Sequence, residues 1–282
     1  MAIAAMGTFT FGWLFTGRYL WALAVVCALD WFVVNLLNRV VDLKEDIANA
    51  IPATDFVSRW RPQILAVGFG TLGVSLVATQ LLAPELTPWR LGFQTLGFAY
   101  NWPLLPGGRR IKQLFFFKNF ASAVGFLITV FAYPLAGAWA SPASGAAGVD
   151  PIVVALSIAF FLPFELSYEV IYDLRDAAGD RLADVRTFPV VLGEVGAVRI
   201  IDALIATSVV VAVVGYASGH LPWSIAVMGS APLINLVWYK RALRRGISSR
   251  DCVRLTWSGA GLLVLYHLWV LAGLPGVAGA AS

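Results

Sequence analysis

Tyr172-Asp173-Leu174-Arg175-Asp176-Ala177-Ala178-Gly179-Asp180 closes an apolar run that begins near Ile152. Read as a helix, this stretch places Asp173, Asp176 and Asp180 at i, i+3 and i+7, on one face. A second stretch answers it. Asn38-Arg39-Val40-Val41-Asp42-Leu43-Lys44-Glu45-Asp46 closes an apolar run from about Tyr19, with Asn38, Asp42 and Asp46 at i, i+4 and i+8. Carboxylates stacked a turn apart repel by roughly 1–4 kcal/mol per pair at contact distance, for effective dielectrics of about 80 down to 20. Two such ladders at the ends of apolar helices make sense if cations sit between them. Oxygen ligands without Cys or His favour Mg²⁺, an ion that keeps waters and grips phosphates alongside carboxylates. The expectation is a site for a Mg²⁺-bound diphosphate.

The rest of the chain supplies the setting. Of its 282 residues 59% are hydrophobic and only 13% charged, with a mean hydropathy of +0.78. A soluble domain is not expected to have this composition; it reads as a multi-pass integral membrane protein. Apolar stretches of spanning length fall at about 19–40, 62–82, 89–105, 120–139, 152–172, 198–217, 221–239 and 253–274, on a criterion of ~20 residues at 1.5 Å each for a ~30 Å hydrocarbon core. Residues 2–16 make a shorter first helix. The expected fold is an all-α membrane protein, a bundle of about nine transmembrane helices, with residues 1–282 forming a single domain. The opening Met-Ala-Ile-Ala-Ala-Met lacks a basic n-region, so no cleavable signal peptide is expected. Cys27 and Cys252 suggest neither a disulfide framework nor a thiolate metal site. Membrane lipid is the expected surrounding, and no nucleic-acid partner is expected.

Basic residues orient the bundle. On a nine-helix path all of the 20 Lys and Arg except Arg18 and Arg90 fall on one side, which the positive-inside rule makes cytoplasmic. Both Asp ladders lie on that face, and the loop near Ser144 lies on the other. Positive-inside bias alone accounts for the basic loop from Lys240 to Arg254. The loop Tyr100-Asn-Trp-Pro-Leu-Leu-Pro-Gly-Gly-Arg-Arg-Ile-Lys112, running on to Phe115-Phe-Phe-Lys118-Asn119, is different. Basic and apolar side chains alternating beside Pro and Gly suit a lid that holds anionic phosphate while its apolar residues dip into lipid.

These residues carry a resemblance. Asn38-x-x-x-Asp42-x-x-x-Asp46, and Asp173-x-x-Asp176-x-x-Gly179-Asp180-Arg181 followed by Arg186-Thr-x-Pro189-x-x-x-Gly193, look like the two Asp-rich motifs of the UbiA superfamily of intramembrane prenyltransferases. The loop from Tyr100 to Asn119 resembles that family's Tyr, Arg-x-Lys and Asn segment. The resemblance implies a nine-helix bundle around a central cavity, in which Mg²⁺ bridges an isoprenyl diphosphate. Ionisation then gives an allylic cation that attacks an acceptor. By position Asn38, Asp42, Asp46, Asp173, Asp176 and Asp180 would form the Mg²⁺ shell. Arg109, Lys112, Lys118 and Arg181 would hold diphosphate, and Tyr100 would face the cation. Arg39 departs from the pattern, because many members have Asp there. The step Pro106-Gly107-Gly108 looks inserted, which leaves Arg109, Arg110 and Lys112 as alternatives for the family's lysine. Family frequency favours an aromatic acceptor, as in quinone-type lipid synthesis.

Physical chemistry supports the same reaction. Breaking an allylic C–O bond requires the charge on the leaving diphosphate to be stabilised, which Mg²⁺ with Arg and Lys achieves in a dry site. The cavity must be apolar for an isoprenoid tail and must exclude water from the cation. Four further ionisable groups lie at bilayer depth: Asp30, Glu165, Glu169 and His267. Intramembrane carboxylates are costly and normally face a cavity or partner. Glu165 and Glu169 continue the face of Asp173 inward and are candidate catalytic bases, alongside Asp42, Asp173 and Tyr100. Asp30 shares the face of Asn38 but divides between cavity and packing roles, and His267 reads as a hydrogen-bonded packing residue. Asp202 reads as an ordinary carboxylate near a helix start. Two rivals stay in view: a terpene synthase of the same fold, which cyclises the cation without an acceptor, and a transporter with acidic sites.

Overall fold

The computed structural model describes residues 1–48, 51–139, 149–182, 184–221 and 225–273. The loop near Ser144, positions 222–224 of the stretch 221–239 and the last residue of 253–274 lie outside the described residues. In chain order the helices are α1 (Ala2–Thr16), α2 (Trp21–Val41), α3 (Leu43–Ala48), α4 (Thr54–Arg59), α5 (Arg61–Leu82), α6 (Thr87–Asn101), α7 (Phe117–Phe126), α8 (Tyr133–Trp139), α9 (Pro151–Leu182), α10 (Phe188–Ala217), α11 (Ile225–Leu243) and α12 (Ser249–Leu271). A π-helical turn, Leu127–Ala132, makes α7 and α8 one continuous rod. No strand occurs among the described residues.

Five of these elements are long and apolar enough to cross a membrane: α2, α5, the rod Phe117–Gly137, α9 and α10. The shorter α1, with α6, α11 and α12, falls on the remaining apolar stretches. Large apolar side chains such as Val74, Leu81 and Leu271 point outward, as a lipid-facing surface requires. Helices pack largely in sequence order: α1 on α2, α2 on α5, α5 on α6, α6 on α7, α7 on α9, α9 on α10, α10 on α11 and α11 on α12. Contact between α12 and α1 closes the ring. The result is an all-helical membrane bundle around a central space.

Local chemistry sets the helix ends, and here the structure revises several boundaries. Trp102-Pro103 stops α6 at Asn101, because a residue before proline is pushed into extended backbone. Ser248 and Asp251 form a reciprocal capping box that starts α12. The second ladder stays helical throughout, since α9 continues to Leu182. The first ladder bends: α2 ends at Val41 and Asp42 caps it with φ −91° and ψ 19°. Helical hydrogen bonding nevertheless passes through the bend, from Asp42 N–H to Asn38 O and from Asp46 N–H to Asp42 O. The next helix begins at Phe188 rather than near 198, and kinks at Gly193, whose φ of 72° suits glycine. Asp202 is therefore well inside α10, where it accepts hydrogen bonds from Tyr239 and, at 2.7 Å, from Lys240 of α11.

The largest revision concerns Arg90, which the charge count assigned to the outer loops. It is fully buried on α6 and paired with Asp30 of α2. Its Nε donates to Asp30 Oδ2 at 2.9 Å, and its Nη1 donates to Ser75 O and Thr79 Oγ1 of α5 at 2.8 and 2.6 Å. Gln94 Nε2 and Tyr133 Oη complete the shell of Asp30 at 2.9 and 2.8 Å. Asp30 thus braces α2, α5, α6 and α8 together instead of lining the cavity. His267 is the packing residue expected, its Nε2 2.9 Å from Thr10 Oγ1 across the α1–α12 contact.

Candidate active site

Three helix ends and one loop converge at the site. The end of α2 brings Asn38 and Asp42, the end of α9 brings Asp173, Asp176 and Asp180, and the start of α7 brings Lys118 and Asn119. Between α6 and α7 the chain turns through a short hairpin, in which Leu105 N–H meets Arg109 O. It then passes Arg110 and Lys112 over Asp42. A cavity of about 400 Å³ opens beneath, lined among others by Asn38, Tyr100, Lys118, Glu169, Asp173 and Asp176.

Each buried carboxylate here is met by a side-chain cation. Lys118 Nζ lies 2.6 Å from Asp173 Oδ1 and 3.1 Å from Asp180 Oδ2, so a single ammonium staples two rungs of the α9 ladder. Asn119 Nδ2 donates to the other oxygen of Asp173 at 2.7 Å. Across the cavity, Lys112 Nζ and Arg110 Nη1 lie 2.6 and 3.0 Å from Asp42 Oδ1. Asp176 takes the guanidinium of Arg175, which also sits over the Tyr172 ring at 5.3 Å. Asp46 pairs with Arg39 at 3.0 Å. Repulsion within the ladders is offset in this way by cations from α7 and the loop.

The sequence-derived candidates therefore divide. Asn38, Asp173 and Asp176 line the cavity with Tyr100 and Lys118, while Asp42 and Asp180 are tied to its walls through Lys112 and Lys118. Glu169 lines it as well, one turn below Asp173, and accepts a hydrogen bond from Ser122 Oγ at 2.7 Å. Glu165 does not line it: it faces a neighbouring, almost wholly apolar chamber. Arg109 and Arg181 are exposed, and neither pairs with a carboxylate among the described residues. Of the three alternatives for the family's lysine, Arg110 and Lys112 reach Asp42 and Arg109 does not. Ser122 and Asn101 were missed, although the i, i+4 spacing of Lys118 and Ser122 was a usable signal.

The donor chemistry fits a hard divalent cation. Asn38 Oδ1 and Asn101 Oδ1 are buried with no hydrogen-bond partner among the described residues. Both residues line the cavity beside carboxylates, and a buried acceptor left unmade is costly. Oxygen donors without thiol or imidazole suit Mg²⁺. Among the described residues no three of the Asp, Glu, His and Cys side chains gather at metal-binding distance; the carboxylates are paired with Lys118, Lys112 and Arg110 instead.

Solved structures share this fold. The solved structure of a UbiA homolog from Archaeoglobus fulgidus bound to DMAPP and Mg²⁺ superposes with a TM-score of 0.67 at 15% identity, covering 97% of this chain and 96% of that one. The apo structure of a UbiA homolog from Aeropyrum pernix K1 gives a TM-score of 0.64 at 18% identity, over 96% and 98% of the two chains. A digeranylgeranylglyceryl phosphate synthase from Pyrococcus abyssi is 28% identical over 205 residues, 71% of this chain. The chain spans 64% of the length of that relative. Residues 1–271 match the model of the UbiA prenyltransferase family. The chain belongs to the UbiA prenyltransferase family.

Proposed function

We propose that the protein transfers an isoprenyl group from an isoprenyl diphosphate to an apolar, membrane-dissolved acceptor, in a Mg²⁺-dependent reaction on the cytoplasmic face of the membrane. One observation carries the reading: two acidic helix ends and three side-chain cations are packed against each other over a cavity whose deeper wall is aromatic. The Archaeoglobus fulgidus homolog, bound to DMAPP and Mg²⁺, supports the choice of donor and ion. The positive-inside distribution supports the orientation.

Asn38, Asp42, Asp173, Asp176 and Asp180 would hold the ion, with Asp46 at the rim beyond Asp42. When bound, Mg²⁺ supplies charge stabilisation to the leaving diphosphate. The side chains do the rest. Lys118, Lys112 and Arg110, which pair with carboxylates here, would also pair with the diphosphate, and the exposed Arg109 and Arg181 would meet its outer phosphate. The allylic C–O bond breaks and its electron pair leaves with diphosphate. The Tyr100 ring, which lines the cavity, would face the resulting cation. A new bond then forms to the acceptor, and the proton it loses passes to the Glu169 carboxylate, which Ser122 orients.

The Pyrococcus abyssi relative, named for a glyceryl phosphate lipid product, favours a lipid acceptor over a quinone precursor. Incubating the protein in lipid with Mg²⁺ and labelled allylic diphosphate, with and without lipid and aromatic acceptors, tests this reading. Acceptor-dependent adduct with matching diphosphate release is expected. A cyclic hydrocarbon made from donor alone would instead establish a terpene synthase.

A further inference from the structure

Two chambers meet at one side chain. The ladder cavity is the first; the second, a small space of about 40 Å³, lies among α1, α9, α11 and α12, with Phe11, Phe164 and Ala231 in its wall. Helix α9 runs past both, presenting Glu165 and Tyr168 to the second chamber and Glu169, Tyr172 and Asp173 to the first. Among the described residues Phe126 alone lines both. Trp31 closes against it with ring centroids 4.3 Å apart, and Phe93 adds a third ring 5.2 Å from Trp31.

This partition is held in place. Trp31 Nε1 donates to Thr129 Oγ1 at 3.0 Å, and Thr129 lies in the π-helical turn that starts at the residue after Phe126. Such turns widen a helix locally and re-aim its side chains. Gly125 gives the rings bare backbone to pack on: a Cβ there would stand 3.3 Å from Phe93 and 3.6 Å from Trp31.

The two chambers also differ in chemistry. Glu165 is 7% exposed and has no hydrogen-bond partner among the described residues. The rest of the second chamber's lining is almost wholly apolar, so that chamber suits a hydrocarbon tail once the Phe126 ring no longer separates it from the first. In the first chamber the polar groups cluster at the diphosphate end and the aromatic rings form the floor.

We propose that Phe126, braced by Trp31, is the length stop of the donor chamber, so that it sets which isoprenyl diphosphates the protein accepts. The proposal rests on the isoprenyl-diphosphate reading above and deepens it by naming the residue that selects donor length. Removing the ring joins the chambers and gives a longer tail a path.

The test uses the full chain in lipid nanodiscs with Mg²⁺ and the lipid acceptor that gives adduct in the assay above. Diphosphate release gives kcat/KM for geranyl, farnesyl, geranylgeranyl and longer donors. For the first donor beyond the wild-type cut-off, Phe126→Ala is expected to raise kcat/KM relative to the shortest donor by about tenfold or more. Phe126→Leu shifts it the same way by less. Ala231→Leu, which fills only the second chamber, keeps the wild-type profile, and added to Phe126→Ala it removes the gain. If Phe126→Ala does not fold, Phe126→Leu and Ala231→Leu decide. A wild-type length profile in the folded Phe126 variants overturns the stop. So does a wild-type enzyme with no cut-off, or loss of the longest accepted donor in Ala231→Leu alone. A wild type that releases diphosphate from no donor overturns the underlying functional reading instead.

Discussion

Replacing Lys118 by Met keeps the aliphatic stem and removes the charge that holds the α9 ladder together. The Lys118 side chain is only 13% exposed, and those of its partners Asp173 and Asp180 are 3% and 11% exposed. Without it, two buried carboxylates share a helix face and Asn119 is the remaining donor to Asp173. Removing one member of a buried ion pair costs about 3–5 kcal/mol. At about 2 °C per kcal/mol for a chain of this size, the apparent unfolding midpoint falls by about 6–10 °C. If a divalent cation and Lys118 compensate the same carboxylates, Mg²⁺ restores most of this loss in Lys118→Met and stabilises the wild type by less. The assay is thermal unfolding in nanodiscs at one fixed scan rate, with EDTA or millimolar Mg²⁺. Adding Asp173→Asn and Asp180→Asn to Lys118→Met abolishes the rescue. A Lys118→Met midpoint equal to wild type in EDTA, or an equal loss in EDTA and in Mg²⁺, would refute the reasoning.

Other substitutions probe the remaining parts. Asp42→Asn removes a ligand charge opposite the α9 ladder and lowers turnover by about tenfold or more with the fold intact; near-normal turnover in folded protein would reject the two-ladder site. Arg90→Met leaves Asp30 buried and unpaired and destabilises by about 3–5 kcal/mol, whereas Arg90→Met with Asp30→Leu recovers much of that; unfolding midpoints of the single and double variants measure the difference. Because Cys27 and Cys252 are buried, a maleimide reads topology in the otherwise native chain. Cysteine at Arg244 is expected to label only from the cytoplasm and cysteine at Ser218 only from outside, and labelling of both from one side would show that the number of crossings is wrong.

The ladders were legible because helical periodicity is a local property: spacing alone puts Asp173, Asp176 and Asp180 on one face, and α9 keeps them there. The bend at Asp42 was not legible, because one capping geometry decides it and hydropathy carries no trace of that. Arg90 was misplaced for a different reason. A running hydropathy average treats any arginine as a boundary, while its partner Asp30 is 60 positions away and the pairing depends on how α2, α5 and α6 pack. Glu165 and Glu169 share a helix face, as their spacing requires, yet face different chambers. The divider, Phe126, comes from α7, and the second chamber's other walls come from α1, α11 and α12. Sequence fixes the face of a helix; which space that face looks into depends on its neighbours.

The Asp30 network also bears on how the chain is made. Asp30 leaves the ribosome 60 positions ahead of Arg90 and 103 ahead of Tyr133. At about 5–20 residues per second, α2 is complete several seconds before its arginine partner exists. A lone carboxylate at the centre of a nascent transmembrane helix costs about 2.5–3.5 kcal/mol on an insertion scale. Helix α2 is therefore a poor independent passenger into lipid, and it gains its full partition energy only once α6 arrives. The cost of an unpaired Asp30 thus favours insertion of α2 together with α6, the Asp30–Arg90 pair forming as the two helices meet.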